Sequence, residues 1–216
     1  LFPQWNERNL GDITACDYSH IKEPIDLLVY STPCQSVSTA GLNKGMAKGS
    51  DTASSVIWAV ENAIKQLRPK YLLMENVKGI VSKRNIGEFE QWKELVKSYG
   101  YVNFQQILNA KDYGVPQNRE RVFLVSIRDD GDNPTYVYPD KISLELRLKD
   151  ILETSVDESF YLRPEQVQRI VAHCDRKVAE GCGFKTNFTP PHGISGAIKT
   201  KEGSREYDTY VKESTV

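Results

Sequence analysis

The chain has 216 residues, with 28 basic against 29 acidic side chains, a formal net charge of −1 and 39% apolar residues. That length suits one domain, or one with an appendage, able to bury roughly 70% of its unfolded surface. No apolar run approaches the ~18 residues that a membrane-spanning helix needs, and the near-neutral charge argues against a strongly basic nucleic-acid-binding surface.

The opening Leu1-Phe2-Pro3-Gln4-Trp5 has no basic segment followed by an apolar one, so no secretory signal is visible, and the lack of an initiator Met points to a fragment or a processed chain. Four cysteines, Cys16, Cys34, Cys174 and Cys182, are too few for a disulfide scaffold, which makes a reducing cytoplasm the default.

In chain order, Ile25 to Tyr30 is a nearly continuous apolar run, the pattern of a strand buried on both faces. A loop bearing Gly and Lys follows from Gly41 to Ser50. Ala53, Val56, Ile57, Val60, Ala63, Ile64 and Leu67 then recur at helical spacing, with Ser50 or Asp51 as N-cap and Pro69 as the stop. Tyr71 to Met74 reads as a second buried strand. Phe89, Trp92, Leu95, Val96 and Tyr99 mark another amphipathic helix closed by Gly100, and Tyr101 to Leu108 and Val122 to Ile127 are the next strands. This alternation predicts an α/β sheet with parallel central strands and helices on both faces, with ligands at the carboxyl ends of the strands. Asp129 to Pro134 is turn chemistry that ends the alternation. Beyond it, Leu144 to Glu153 reads as a short helix. A clearer helix opens at Pro164, carries Val167, Ile170, Val171, Cys174 and Val178 on one face, and ends at Gly181. From Gly181 to Val216 the sequence is poor in apolar residues and reads as the opening of something cut short.

Four constellations could carry chemistry. Cys34, in Ser31-Thr32-Pro33-Cys34-Gln35-Ser36, lies just past a buried strand. A thiol there is either an exposed nucleophile or an ordinary buried cysteine, and the surrounding Pro-Cys-Gln at a strand end favours the nucleophile. Glu75-Asn76-Val77 follows the second strand. A carboxylate in that place is partly desolvated and able to hold a proton, or else is a loop acid capping residues 78–81. In Gln117-Asn118-Arg119-Glu120-Arg121, two guanidinium groups at i and i+2 point the same way on an extended chain. They can serve one concave site, or simply pair with Glu120 or a neighbouring acid. Asp12, followed by Ile13, could accept from an adenine amino group while Ile13 covers the ring; from spacing alone, a turn that begins a short helix is the stronger reading. Other features carry less. Gly41, Gly45 and Gly49 lack the G-K-[ST] of a phosphate-binding loop. His173, Cys174, Cys182 and His192 contain no C-x₂-C pair, so no metal site is expected. His20 is isolated.

Pro33-Cys34-Gln35 with Ser38 and Gly41, then Glu75-Asn76-Val77, then Gln117-x-Arg119-x-Arg121 come in this order, each one βαβ step apart. With the stretches R-P-K-Y-L-L-M-E-N-V-K from Arg68 and L-N-A-K-D-Y-G-V-P-Q-N-R-E-R-V from Leu108, the chain resembles the C5-cytosine DNA methyltransferases of bacterial and phage type. The resemblance is strong from Gly11 to Ile127 and extends weakly through the helix from Pro164. It implies a Rossmann-like, S-adenosylmethionine-dependent fold with a mostly parallel sheet, incomplete at both ends. Residues 1–150 would be a partial catalytic domain, and 151–216 a helical extension leading into target recognition.

The resemblance further implies that a cytosine is flipped out of double-stranded DNA. Cys34 would attack its C6, Glu75 would protonate or hydrogen-bond N3, and Arg121 would hold O2. Arg119, Gln117, Gln35 and Ser38 would lie on the nucleic-acid side. Asp12 and Ile13 would meet the adenine of the cofactor, Pro33 its methionine end, and Val56 would pack against it. The setting implied is the cytoplasm of a bacterium, or a phage-encoded protein, in restriction–modification. The family's F-x-G-x-G motif and ribose-binding acid should precede Gly11 and are absent, as are the target recognition domain and the two final motifs. Ala53 stands where many relatives carry an arginine. The alternatives are a split-enzyme subunit needing a complementary chain, a non-catalytic remnant that binds DNA or a partner, a tRNA-directed relative, and a cysteine hydrolase. The hydrolase needs a histidine base, and none of His20, His173 or His192 sits in a matching strand-end motif.

Overall fold

The apolar runs form a four-stranded sheet of β1 (Leu27–Tyr30), β2 (Tyr71–Val77), β3 (Tyr101–Asn109) and β4 (Glu120–Arg128), in the order β1-β2-β4-β3. The computed structural model describes residues 9–34, 37, 45, 47–50, 52–181, 187–198 and 209–212. Strands β1 and β2 are parallel, in register from Leu27↔Tyr71 to Tyr30↔Met74, and are joined through α1 (Ile57–Leu67), as a parallel pair requires a crossover. Strand β4 runs antiparallel to β2, from Tyr71↔Ile127 to Val77↔Arg121, so the described sheet combines a parallel and an antiparallel pair within the Rossmann-like α/β fold that was expected. Helix α2 (Ile86–Ser98) lies between β2 and β3 in the chain.

One sheet face carries the core. Leu72, Met74, Val122 and Leu124 alternate along β2 and β4 and are fully buried against Ile57, Val60 and Ile64 of α1 and Phe89, Trp92 and Val96 of α2. Each such side chain contributes about 1.5–3 kcal/mol on burial. Trp92 sits edge-on to both Tyr30 and Trp58, and its indole N–H donates to the Tyr30 hydroxyl at 3.1 Å. Burial pushes the ionisation of that hydroxyl far above its usual range.

On the other face, Leu27 and Val29 remain 50% and 61% exposed, which corrects the expectation of a strand buried on both sides. Strand β1 ends the sheet order, and only its alternate residues Leu28 and Tyr30 reach the helix-covered core.

The helix ends follow local chemistry. A 3₁₀ turn, Ala53–Val56, precedes α1, and Val56 occupies the N-cap without a side-chain bond. Ser50, expected as a cap, is instead engaged locally, its hydroxyl 3.2 Å from that of Thr52; Asp51 lies outside the described residues. Pro69 disfavours a helical residue before it, and Arg68 turns left-handed (φ 48°) while donating its N–H to the Ile64 carbonyl. Helix α2 is followed by Gly100 at φ 85°, whose N–H donates to Lys97.

The chain divides into two compact units, residues 1–108 with 120–139 and residues 109–119 with 140–216. In the second unit, α3 (Pro164–Ala179) starts with proline at its first turn, and Gln166 Oε1 accepts from the Arg163 N–H at 2.9 Å. Ile170 and Cys174 are buried, whereas Val171 and Val178 of the expected apolar face are exposed. The helix expected over Leu144–Glu153 reduces to a 3₁₀ turn, Leu148–Asp150. Backbone donors that a helix would use internally go elsewhere: Leu148 N–H to the Gly193 carbonyl and Lys149 N–H to that of Pro191. Strands β5 (Asn187–Thr189) and β6 (Thr209–Val211) pair in parallel, with Phe188 stacked on Tyr210.

Candidate active site

Because β1 and β2 are parallel, the segment beginning at Ser31 and the segment Glu75-Asn76-Val77 leave the paired region at the same sheet end. Antiparallel β4 brings its start to that end, with Arg121 opposite Val77. Arg121 Nε lies 2.9 Å from Glu75 Oε1, and Ser31 Oγ donates to Glu75 Oε2 at 3.2 Å, so both carboxylate oxygens are held. The Glu75 side chain is 34% exposed and that of Arg121 18%. Glu75 is therefore a strand residue facing a guanidinium. The 3₁₀ turn at Lys78–Val81 has Val77 at its N-cap and no side-chain cap. Glu120, the other acid available to Arg121, is taken by Lys78 at 2.9 Å.

Cys34 is half-buried and packs against the core. It is anchored on both sides. Before it, the buried Thr32 accepts from the Asn76 amide at its carbonyl (3.2 Å) and at its hydroxyl (3.1 Å). After it, the Val37 N–H donates to the Cys34 carbonyl at 3.1 Å, and the Val37 side chain is buried in the core. The Asn85 amide donates to the Gly79 carbonyl at 2.8 Å and reaches that of Val37 at 3.5 Å, the outer limit for such a bond. Gln35 and Ser38 lie outside the described residues.

Asp12 forms a turn of its own: Oδ1 accepts from the Thr14 N–H (2.9 Å) and the Thr14 hydroxyl (2.8 Å). The backbone bond first, then the side-chain bond, hold this carboxyl below its usual range, so it is an anionic acceptor at neutral pH. Ile13 beside it is half-buried against the core. An exposed anionic acceptor next to a half-buried aliphatic side chain fits an amino-bearing planar ring such as adenine. Pro33 is exposed next to Cys34, and Val56 is half-buried at the entry to α1.

Gln117 and Arg119 belong to the second unit. Gln117 bridges to Ser195, and the Arg119 guanidinium donates to the Ile198 carbonyl at 3.2 Å. The Arg119 N–H is held by the Asn109 side chain at 2.9 Å.

Sequence reasoning assigned no role to the side chains of Ser31, Thr32, Asn76 or Val37. The available signal was position: each lies within three residues of Cys34 or Glu75 at a strand end.

The family model of C-5 cytosine-specific DNA methylases matches residues 2–213. Among curated relatives, the type II methyltransferase M2.ScrFI of Lactococcus lactis is 42% identical over 160 residues, 74% of this chain and 44% of that protein. The orphan methyltransferase M.SssI of Spiroplasma monobiae is 35% identical over 216 residues, 92% of this chain and 56% of that protein. The chain thus spans about half the length of these relatives. Among solved structures, the S. pombe Dnmt2 methyltransferase superposes with a TM-score of 0.64 at 19% identity, covering 92% of this chain and 59% of that one, which places the two in one fold. A putative DNA modification methyltransferase encoded within an E. coli prophage gives 0.59 at 17% identity, covering 87% and 68%. With the family match running over nearly its whole length, the chain belongs to the C-5 cytosine-specific DNA methylases.

Proposed function

We propose that this chain carries the catalytic centre of a DNA cytosine-C5 methyltransferase. In this reading Cys34 is the nucleophile, Glu75 the acid and Arg121 the group that holds the target base. The observation that carries the reading is the Glu75 carboxylate, fixed between Ser31 and Arg121 at the sheet end from which the Cys34 segment departs.

Cytosine C5 is too weak a nucleophile to take a methyl group unaided. The Cys34 thiolate adds to C6 and forms an S–C6 bond. The C5–C6 π electrons shift toward C5, and Glu75, having taken up a proton from solvent, passes it to N3, which offsets the charge of the addition. Arg121 exchanges its contact with Glu75 for the base O2, placing positive charge where negative charge develops. Asp12 and Ile13 would hold S-adenosylmethionine at its adenine, and Pro33 and Val56 toward its methionine end; when bound it would supply an electrophilic methyl group and leave as the neutral thioether. Once C5 is methylated and has lost its proton to solvent, the S–C6 bond breaks, the thiolate leaves on Cys34 and the N3 proton returns to Glu75. The target must be flipped out of the duplex for C6 to be reached.

Cys34→Ser abolishes methyl transfer to duplex DNA in this reading, and normal methylation by that variant would refute it. The relatives carry further length beyond the part this chain matches, and a second reading is that the 216 residues turn over only when that remaining length is supplied. Calorimetry with S-adenosylmethionine separates them, since binding by the chain alone supports a self-sufficient cofactor site.

A further inference from the structure

Backbone pairing between β1 and β2 stops at Tyr30↔Met74, yet the register does not. The next two positions in that register are Ser31 with Glu75 and Thr32 with Asn76. Both pairs are joined by side chains: Ser31 Oγ to Glu75 Oε2 at 3.2 Å, and the Asn76 amide to the Thr32 carbonyl and hydroxyl at 3.2 and 3.1 Å. Two side-chain rungs therefore continue the ladder where the strands separate.

We propose that Ser31, Thr32 and Asn76 are positioning residues that set the separation of the two strand ends, and so place Cys34 and Glu75 relative to one another. The proposal rests on the roles given above to Cys34 and Glu75. Strands that part without cross-bonds leave each end free to drift, and sub-ångström precision at reacting groups is what lowers a barrier. The two rungs differ in character. Thr32 and Asn76 are 6% and 2% exposed, on the core face, and the Asn76 Oδ1 also accepts from the Val77 N–H at 2.8 Å, so this amide is fully engaged. Ser31 is exposed, on the face where Glu75 meets Arg121. A serine hydroxyl there donates to the carboxylate and can rotate to accept from the protonated acid, supporting Glu75 in both states of the cycle. The inner rung fixes the nucleophile segment and the outer rung fixes the acid.

The test compares the full chain with the double variant Ser31→Ala/Thr32→Val, which removes one hydroxyl from each rung, and with Ser31→Thr/Thr32→Ser, which keeps both. Iodoacetamide labelling followed by peptide mass spectrometry reads Cys34, with Cys174, buried in α3, as the control for general loosening. Loss of two hydrogen bonds speeds Cys34 labelling about tenfold with the Cys174 rate unchanged, and the hydroxyl-retaining pair labels as the original does. In methyl transfer the same loss lowers kcat about tenfold and leaves KM for DNA within about twofold. Unchanged Cys34 labelling, or a parallel rise at Cys174, overturns the proposal. Failure of the original chain to form an adduct with 5-fluorocytosine DNA counts against the proposed function instead, and the labelling comparison still decides the rungs.

Discussion

At the scale of single residues, the site turns on a carboxylate and a guanidinium 46 positions apart in sequence. The Glu75–Arg121 contact at 2.9 Å exists because β4 pairs antiparallel with β2 and places Arg121 opposite Val77. Both residues were legible as candidates from their motifs, but their contact was not, because strand order and direction are not written in local apolar patterns. Glu75→Gln keeps the shape and removes the transferable proton, so methyl transfer falls about 10²–10⁴-fold. Arg121→Lys keeps the charge but loses the planar fork and lowers kcat about 10²-fold. Steady-state kinetics on duplex DNA measures both. Asp12 illustrates a different limit: the turn that spacing favoured is present, in its bonds to Thr14, while the carboxylate remains exposed and anionic, so one residue satisfies both readings of the sequence.

At the scale of elements, α1 and α2 were read from periodicity and the structure agrees on their core-facing residues, because a 3.6-residue apolar repeat has one way to meet a sheet, whereas Val171 and Val178 on the face expected of α3 are exposed. What periodicity could not show is how α1 and α2 are tied together. Glu61 of α1 accepts from the Tyr99 hydroxyl just past α2 at 2.6 Å and pairs with Lys65 at 2.6 Å and Lys48 at 3.0 Å. Burial pushes the Glu61 carboxyl up, but the bonds from Lys65, Tyr99 and Lys48 together outweigh it and bring the carboxyl down to about 2. Its folded value lies below the ordinary 4.5, so its contribution to stability is complete above pH 4.5 and is lost as pH falls toward about 2. Urea unfolding at pH 6 and pH 3 is therefore expected to show a smaller acid-induced loss in Glu61→Gln than in the original chain. Within the same core, Trp92→Phe leaves the buried Tyr30 hydroxyl without its indole donor and costs about 1–3 kcal/mol, read from the urea midpoint. The failed expectation of a helix at 144–153 has the opposite cause, since two of its backbone donors, those of Leu148 and Lys149, go to carbonyls of Gly193 and Pro191, more than 40 residues away.

At the scale of the molecule, alternating strands and helices gave the α/β class, and three ordered motifs gave the family, since each motif falls at a strand end where the fold gathers its chemistry. The antiparallel pairing of β4 with β2 was not legible, because it joins segments more than 40 residues apart in sequence. The chain spans about half the length of its relatives, so covalent catalysis by Cys34 is best tested on the chain both alone and with a polypeptide supplying the remaining family length. The decisive measurement is peptide mapping of the adduct formed with duplex DNA carrying 5-fluorocytosine in the presence of S-adenosylmethionine. The fluorine cannot leave as a proton does, so the S–C6 bond persists and the adduct maps to the peptide containing Cys34. An adduct on any other residue, or none under either condition, contradicts the assignment.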